Sequence, residues 1–174
     1  METGEYLAAL GREGRVLGDA AERAGLAAPV PSCPDWTVAD LLWHVGEVHH
    51  FWGGVVERRA SDSSESPETE RPADAELLDW YGESLAWLQG VLAAADPATP
   101  VWTWASQKNV AFVQRRMAQE TAVHRVDAEQ AAGAPAPIDP ALAVDGVDEF
   151  LQFPLRVEAG RRGPARRLGA PARH

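Results

Sequence analysis

The sequence of 174 residues contains a single cysteine, Cys33, so no disulfide can form within the chain. No apolar run approaches the roughly 20 residues that a membrane-spanning helix needs. The first residues, METGEYLAALGREG, are acidic and polar and lack the basic and then apolar segments of a secretory signal peptide. These absences argue against a disulfide-stabilised secreted fold and against a membrane protein, and we expect a cytoplasmic protein.

Basic residues are scarce outside one segment. The chain has 16 Lys and Arg against 26 Asp and Glu, and its net charge is −10. Six of the arginines lie in residues 156–174 beside one acidic residue, Glu158, so the remainder of the chain is more acidic still. An acidic surface repels a phosphate backbone, and we therefore expect no nucleic-acid partner.

Apolar periodicity predicts an all-α protein. Helical spacing of apolar residues, interrupted by loops rich in proline and glycine, predicts four long helices. They cover residues 2–27, a second segment that starts at Thr37 as N-cap, residues 73–95, and residues 106–132. A shorter helix is expected within DPALAVDGVDEFLQF, and the only hint of a strand lies at 102–104. We predict a four-helix bundle over residues 1–151 with a short extra C-terminal helix, followed by a disordered, basic, Arg/Gly/Pro-rich tail over 152–174.

Two polar residues interrupt the apolar face of the fourth predicted helix, in the segment RMAQETAVHRVD. Glu120 and His124 are four residues apart, so they project to the same side of a helix. That side is otherwise defined by Val113 and Met117. A carboxylate on a core face is costly unless it is paired, hydrogen-bonded or bound to a cation.

The second predicted helix carries three histidines, of which one lies at the edge of its apolar face. His44 is flanked by Leu41 and Val48, one turn away on each side. His49 and His50 are rotated away from His44 by more than a quarter turn in opposite senses, so at most one of the three histidines can join a given site. We expect that residue to be His44.

Two histidines and a glutamate from facing helices can form a three-ligand metal site. Three protein ligands leave one position for water or substrate, which is the arrangement of catalytic rather than structural sites. The same residues also allow simpler interpretations. Glu120 and His124 could be an ordinary helical pair or an acid/base pair without metal, and His44 could be a core histidine bonded to a backbone carbonyl.

The segments CPDWTVADLLWHVGEVHHFW, RRMAQETAVHRVDAE and AVDGVDEFL together resemble the N-terminal, metal-binding domain of mycothiol-dependent maleylpyruvate isomerases. These belong to the DinB/YfiT-like superfamily of four-helix bundles. The resemblance covers about residues 5–151 and places the family's metal ligands on His44, Glu120 and His124. It implies a divalent metal, with zinc expected and nickel or iron(II) as alternatives, and mycothiol as the thiol cosubstrate. In the isomerases the thiol adds to the double bond of maleylpyruvate, allows rotation and leaves.

Several further expectations follow from this resemblance. The partners are a small-molecule thiol and an electrophilic substrate, and the activity is an isomerisation or a thiol S-transfer. The sequence after AVDGVDEFL differs from the second domain of the isomerases, so we expect that domain to be absent; the alternative function is then a non-catalytic metal-binding or regulatory module. An exposed bundle surface could support a homodimer. Asp127 either orients a ligand from behind or is a solvated charge beside Arg125.

Overall fold

This computed structural model describes residues 1–66 and 68–152. These residues form five helices and one short hairpin, joined by loops. In chain order the elements are α1 (Thr3–Ala24), β1 (Pro29–Val30), β2 (Cys33–Thr37), α2 (Val38–Glu57), α3 (Leu77–Ala94), α4 (Val110–Ala131) and α5 (Pro140–Gln152). Short 3-10 turns lie at Ser63–Glu65 and Asp74–Glu76. The predictions of an all-α bundle and of a fifth, terminal helix are confirmed.

The four long helices pack as a bundle around two adjoining apolar clusters. α1 lies mainly against α4, and α2 lies mainly against α3. One cluster includes Leu88 and Met117, and the other includes Leu41 and Tyr81. The apolar faces predicted from helical spacing therefore point inward, and the contact between α2 and α4 brings the two predicted ligand-bearing helices together.

The ends of α2 and α4 follow from local hydrogen bonds. The Thr37 hydroxyl accepts a bond from the Asp40 N–H, and the Asp40 carboxylate accepts one from the Thr37 N–H, which confirms the predicted N-cap. The prediction that the fourth helix starts at residue 106 is wrong, because the Asn109 side chain caps it. At its other end Gly133 adopts a φ of 73°, which a glycine tolerates without strain.

The sheet lies elsewhere than the sequence suggested. The hint of a strand at 102–104 is wrong, because this segment is a connector whose Trp102 N–H donates to the Ala60 carbonyl outside any strand. The antiparallel pair is instead β1 with β2, between α1 and α2. Three prolines in PVPSCPDWT prevent a helix there, and β2 leads directly into the N-cap of α2.

The structure describes only part of the C-terminal segment for which predictions were made. α5 includes Gln152, the first residue of the predicted tail, and the remaining tail residues, 153–174, lie outside the described residues. Among the residues that are described, no helix is both long enough and apolar enough to cross a membrane.

Candidate metal centre

Three side chains from α2 and α4 meet at one edge of the bundle. His44 Nε2 lies 3.5 Å from Glu120 Oε1, and His124 Nε2 lies 3.2 Å from the same oxygen. One donor atom from each residue falls within 4.8 Å of the others. We refer to His44, Glu120 and His124 as the His–Glu–His cluster.

The cluster lies at the rim of the core rather than inside it. Met117 and Thr121, which share its side of α4, are completely buried. The cluster's side chains retain 14%, 22% and 14% exposure for His44, Glu120 and His124. The sequence placed Glu120 and His124 on the core face, and the structure shifts them to the edge of that face. All three side chains are therefore partly exposed to solvent.

His124 is held on both ring nitrogens by carboxylates. Its Nδ1 lies 2.9 Å from Asp127 Oδ2, and its Nε2 faces Glu120. The other oxygen of Asp127 accepts a bond of 2.5 Å from the Ser32 hydroxyl, which connects this helix to the hairpin. Asp127 is buried, so its interpretation as a solvated charge is wrong. No pattern in the sequence singles out Ser32.

The charges of the cluster shift its proton equilibria strongly. Burial alone would lower the pKa of His124, but its hydrogen bonds to Asp127 and Glu120 and their negative charges raise it to about 9. Burial alone would raise the pKa of Glu120, yet its bonds with His124 and His44 and the charge of Arg116 hold it well below the usual range. Without a cation, a proton therefore occupies His124 next to an ionised carboxylate at neutral pH.

The hairpin contributes an aromatic wall over the two histidines. The Trp36 ring centroid lies 5.0 Å from that of His44 and 6.5 Å from that of His124. Trp36 belongs to the CPDWT segment that forms β2. Because β2 leads directly into α2, it places the indole of Trp36 beside the two histidine rings.

Arg116, which the sequence analysis did not single out, connects a second acidic residue, Glu149, to the cluster. Arg116 Nη2 lies 2.5 Å from Glu120 Oε2, and its Nη1 lies 2.6 Å from Glu149 Oε2 on α5. Only the contact with Glu120 was predictable, since Arg116 precedes Glu120 by four residues on the same helix. Glu149 follows the buried Leu142 by seven residues, which places both on one side of α5.

The other two histidines of α2 lie outside the cluster, as expected. His49 is fully buried, and its Nε2 lies 3.0 Å from the Thr121 hydroxyl. Burial lowers its pKa to about 3, so it is neutral. His50 pairs with Ser84 and is stacked between Trp80 and Trp87. Both histidines therefore have a structural role in the packing of α2 against its neighbouring helices.

Cys33 lies close to the Ser32–Asp127 contact but has the properties of an unreactive thiol. It is partly buried in β2. Burial and the negative charge of Asp127 raise its pKa, so the thiolate is disfavoured. This environment is that of a packed residue rather than that of a nucleophile.

The donor set suits a divalent cation. Two imidazole nitrogens and one carboxylate oxygen already face one another, and imidazole and carboxylate are ordinary ligands of zinc and related metals. The buried Nδ1 of His44 has no hydrogen-bond partner among the described residues. A cation would replace the proton between His124 and Glu120 and neutralise the ionised carboxylate.

A comparison with known families gives a match over the part of the chain that contains the cluster. The family model described as the mycothiol maleylpyruvate isomerase N-terminal domain matches residues 7–129, which is more than half of the chain. The matched range contains His44, Glu120 and His124, together with Trp36 and Asp127. No curated protein and no solved structure matches the chain.

Proposed function

Because the chain belongs to the mycothiol maleylpyruvate isomerase N-terminal domain family, we propose that it binds a divalent metal and activates a low-molecular-weight thiol. The His–Glu–His cluster holds the metal, zinc is the expected ion, and mycothiol is the expected thiol. The convergence of three donor atoms within 4.8 Å at the rim of the bundle carries this proposal. The reaction class is an isomerisation or a thiol S-transfer on an electrophilic substrate.

The surrounding residues prepare the cluster for this role. Asp127 accepts the Nδ1 proton of His124 and leaves Nε2 of that ring for the metal. Trp36 packs against both rings, tilted against His44 and stacked on His124, and supports their orientation. The cluster is also partly exposed, which a site that receives a thiol from solvent requires.

The chemistry supplied by the metal is thiol ionisation, since a bound cation favours the thiolate over the thiol. The thiolate is the nucleophile for addition to an electron-poor double bond or for displacement at an electrophilic carbon. Cys33 is not needed as a nucleophile in this scheme, which agrees with its raised pKa.

A turnover assay tests the proposal. Zinc-loaded protein is mixed with mycothiol and a panel of electrophiles that includes maleylpyruvate, and the product and the free thiol are quantified. We expect turnover in the wild type and its loss in His44→Ala. The matched control is His50→Ala, which removes a histidine of the same helix that pairs with Ser84 instead.

The outcomes separate two functions. Turnover that survives in His44→Ala would refute the proposed role of the cluster. Zinc binding without turnover of any electrophile would refute the enzymatic proposal and favour the alternative, a non-catalytic metal-binding or regulatory module.

A further inference from the structure

The two carboxylate oxygens of Glu120 lie in different environments, because Arg116 binds only one of them. Oε1 faces the Nε2 atoms of His44 and His124, whereas Oε2 receives a charge-assisted hydrogen bond from the guanidinium. A carboxylate can bind a metal through one or both oxygens. The guanidinium competes directly for the second oxygen.

The guanidinium is itself fixed from α5. Its Nη1 donates to Glu149, whose side chain is only 4% exposed. Because the two carboxylates bind different nitrogens of one planar fork, the orientation of Arg116 is defined at both ends. Glu149 thereby connects α5 to the cluster without touching it.

α5 is anchored so that Glu149 arrives at this position. Asp145, one turn earlier, accepts bonds from Tyr6, Arg115 and Gln119. Gly146 allows the close approach, since a Cβ there would lie 2.6 Å from Oε1 of Gln119. Within the segment DGVDE, Asp145 therefore anchors α5 and Gly146 permits its close packing. Glu149, the last residue of the segment, connects α5 to the cluster.

We propose that Arg116, oriented by Glu149, holds Glu120 as a ligand that uses one oxygen and thereby keeps a coordination position open for the thiol. Arg116 and Glu149 are positioning residues, because they act through Glu120. The inference rests on the proposed metal-binding function and adds the reason why the metal stays accessible to a thiol.

The environment of Glu149 supports a role beyond packing. Its Oε1 is buried and has no hydrogen-bond partner among the described residues. Burial raises its pKa to about 7 although Arg116 lies beside it, so the carboxyl is kept at a cost to folding. A glutamine or an apolar residue would be the cheaper choice if α5 needed only to pack.

Cobalt(II) is a suitable probe, because its visible absorption weakens as the coordination number rises and a bound thiolate adds a charge-transfer band. The variant Arg116→Met combined with Glu149→Gln removes the guanidinium without leaving a buried carboxylate unpaired. Arg116→Gln alone is a second variant, which keeps a donor for Glu149. Arg71→Met is the matched control, because Arg71 binds Asp40 and Asp74 rather than Glu120 or any residue of α5.

We expect all four proteins to bind cobalt. In both Arg116 variants the visible band should weaken, and the midpoint for 2-mercaptoethanol, read from the charge-transfer band, should rise about tenfold or more. The control should behave as the wild type. Unchanged band intensity and thiol midpoint in both Arg116 variants would overturn the inference, whereas a wild type that binds no cobalt would overturn the proposed function itself.

Discussion

Asp127 Oδ2 lies 2.9 Å from His124 Nδ1, and Asp127 is buried behind that histidine. This carboxylate fixes the ring so that Nε2 points toward Glu120 and His44. It also receives the Ser32 hydroxyl, so the hairpin and α4 meet at the same group. The orientation of one proposed ligand therefore depends on a residue outside the cluster.

Asp127→Asn is expected to weaken zinc binding by about 10- to 100-fold, the usual cost of losing such a supporting carboxylate. The amide keeps the shape but carries no charge, so the imidazole becomes a poorer ligand. Competition against a chromophoric chelator measures the affinity.

Glu129→Gln is the control for this variant, since Glu129 is a buried carboxylate of the same helix that pairs with Arg125. Its zinc affinity should equal that of the wild type. Equal losses in both variants would indicate a general effect of destabilising α4 and would contradict the role of Asp127.

Zinc binding is expected to strengthen with pH. The pKa of His124 is about 9 without metal, so below that pH zinc must displace one proton. The apparent affinity should rise about tenfold per pH unit between roughly pH 6.5 and pH 8.5. Calorimetry in buffers of different ionisation enthalpy would count the proton released, and a count near zero at neutral pH would contradict the assigned protonation of His124.

The raised pKa of His124 also makes the stability of the metal-free protein depend on pH. Because folding raises the pKa of His124, its contribution to stability is fully present below the unfolded value of about 6.5. This contribution is lost as the pH rises through about 9. The free energy of unfolding of the metal-free protein should therefore fall over that window, and it should fall less in His124→Gln. An equal fall in both proteins would assign the loss to another group.

Thr121→Val is expected to lower stability without impairing zinc binding. The change removes the hydroxyl that lies 3.0 Å from His49 Nε2 and leaves a buried ring nitrogen unpaired, which costs about 1–3 kcal/mol. Urea unfolding measures the loss. Unchanged stability would contradict the structural role of the Thr121–His49 pair.

Gly46→Ala is expected to destabilise the α2–α3 contact by about 1–3 kcal/mol through overpacking. A Cβ at Gly46 would lie 2.1 Å from the Trp80 ring. That ring cannot move easily, because Trp43 stacks against it on α2 and His50 stacks against it as well.

Gly82→Ala is the matched control, since no atom lies within 4 Å of a Cβ there. In an open helical position alanine should stabilise by up to about 1 kcal/mol. Both variants can be compared by urea unfolding. Equal effects of the two changes would show that Trp80 does not restrict position 46.

The helices were predictable because their apolar spacing is regular and their caps are local. Thr37 and Asp40 mark the start of α2 in the sequence itself. The hairpin was not predictable from alternation, because β1 has only two residues and β2 has mixed burial. The start of α4 was missed since Asn109 competes with equally polar neighbours in SQKN.

The cluster could be predicted where helical geometry alone fixes the neighbours. Glu120 and His124 share one helix. The rotation between the histidines of α2 limited the site to one of them, and the apolar neighbours Leu41 and Val48 favoured His44. The contacts across elements were beyond such reasoning. Ser32 and Glu149 reach the site through the hairpin and α5, and only the packing of those elements brings them there.

The most direct test of the metal centre is the zinc content of the wild type and of His44→Ala, Glu120→Ala and His124→Ala. Each protein is loaded with excess zinc, desalted and analysed by mass spectrometry of the metal, with circular dichroism to confirm folding. The proposed site predicts about one zinc per chain in the wild type and a near-complete loss in each variant. Equal zinc content in all four folded proteins would contradict it.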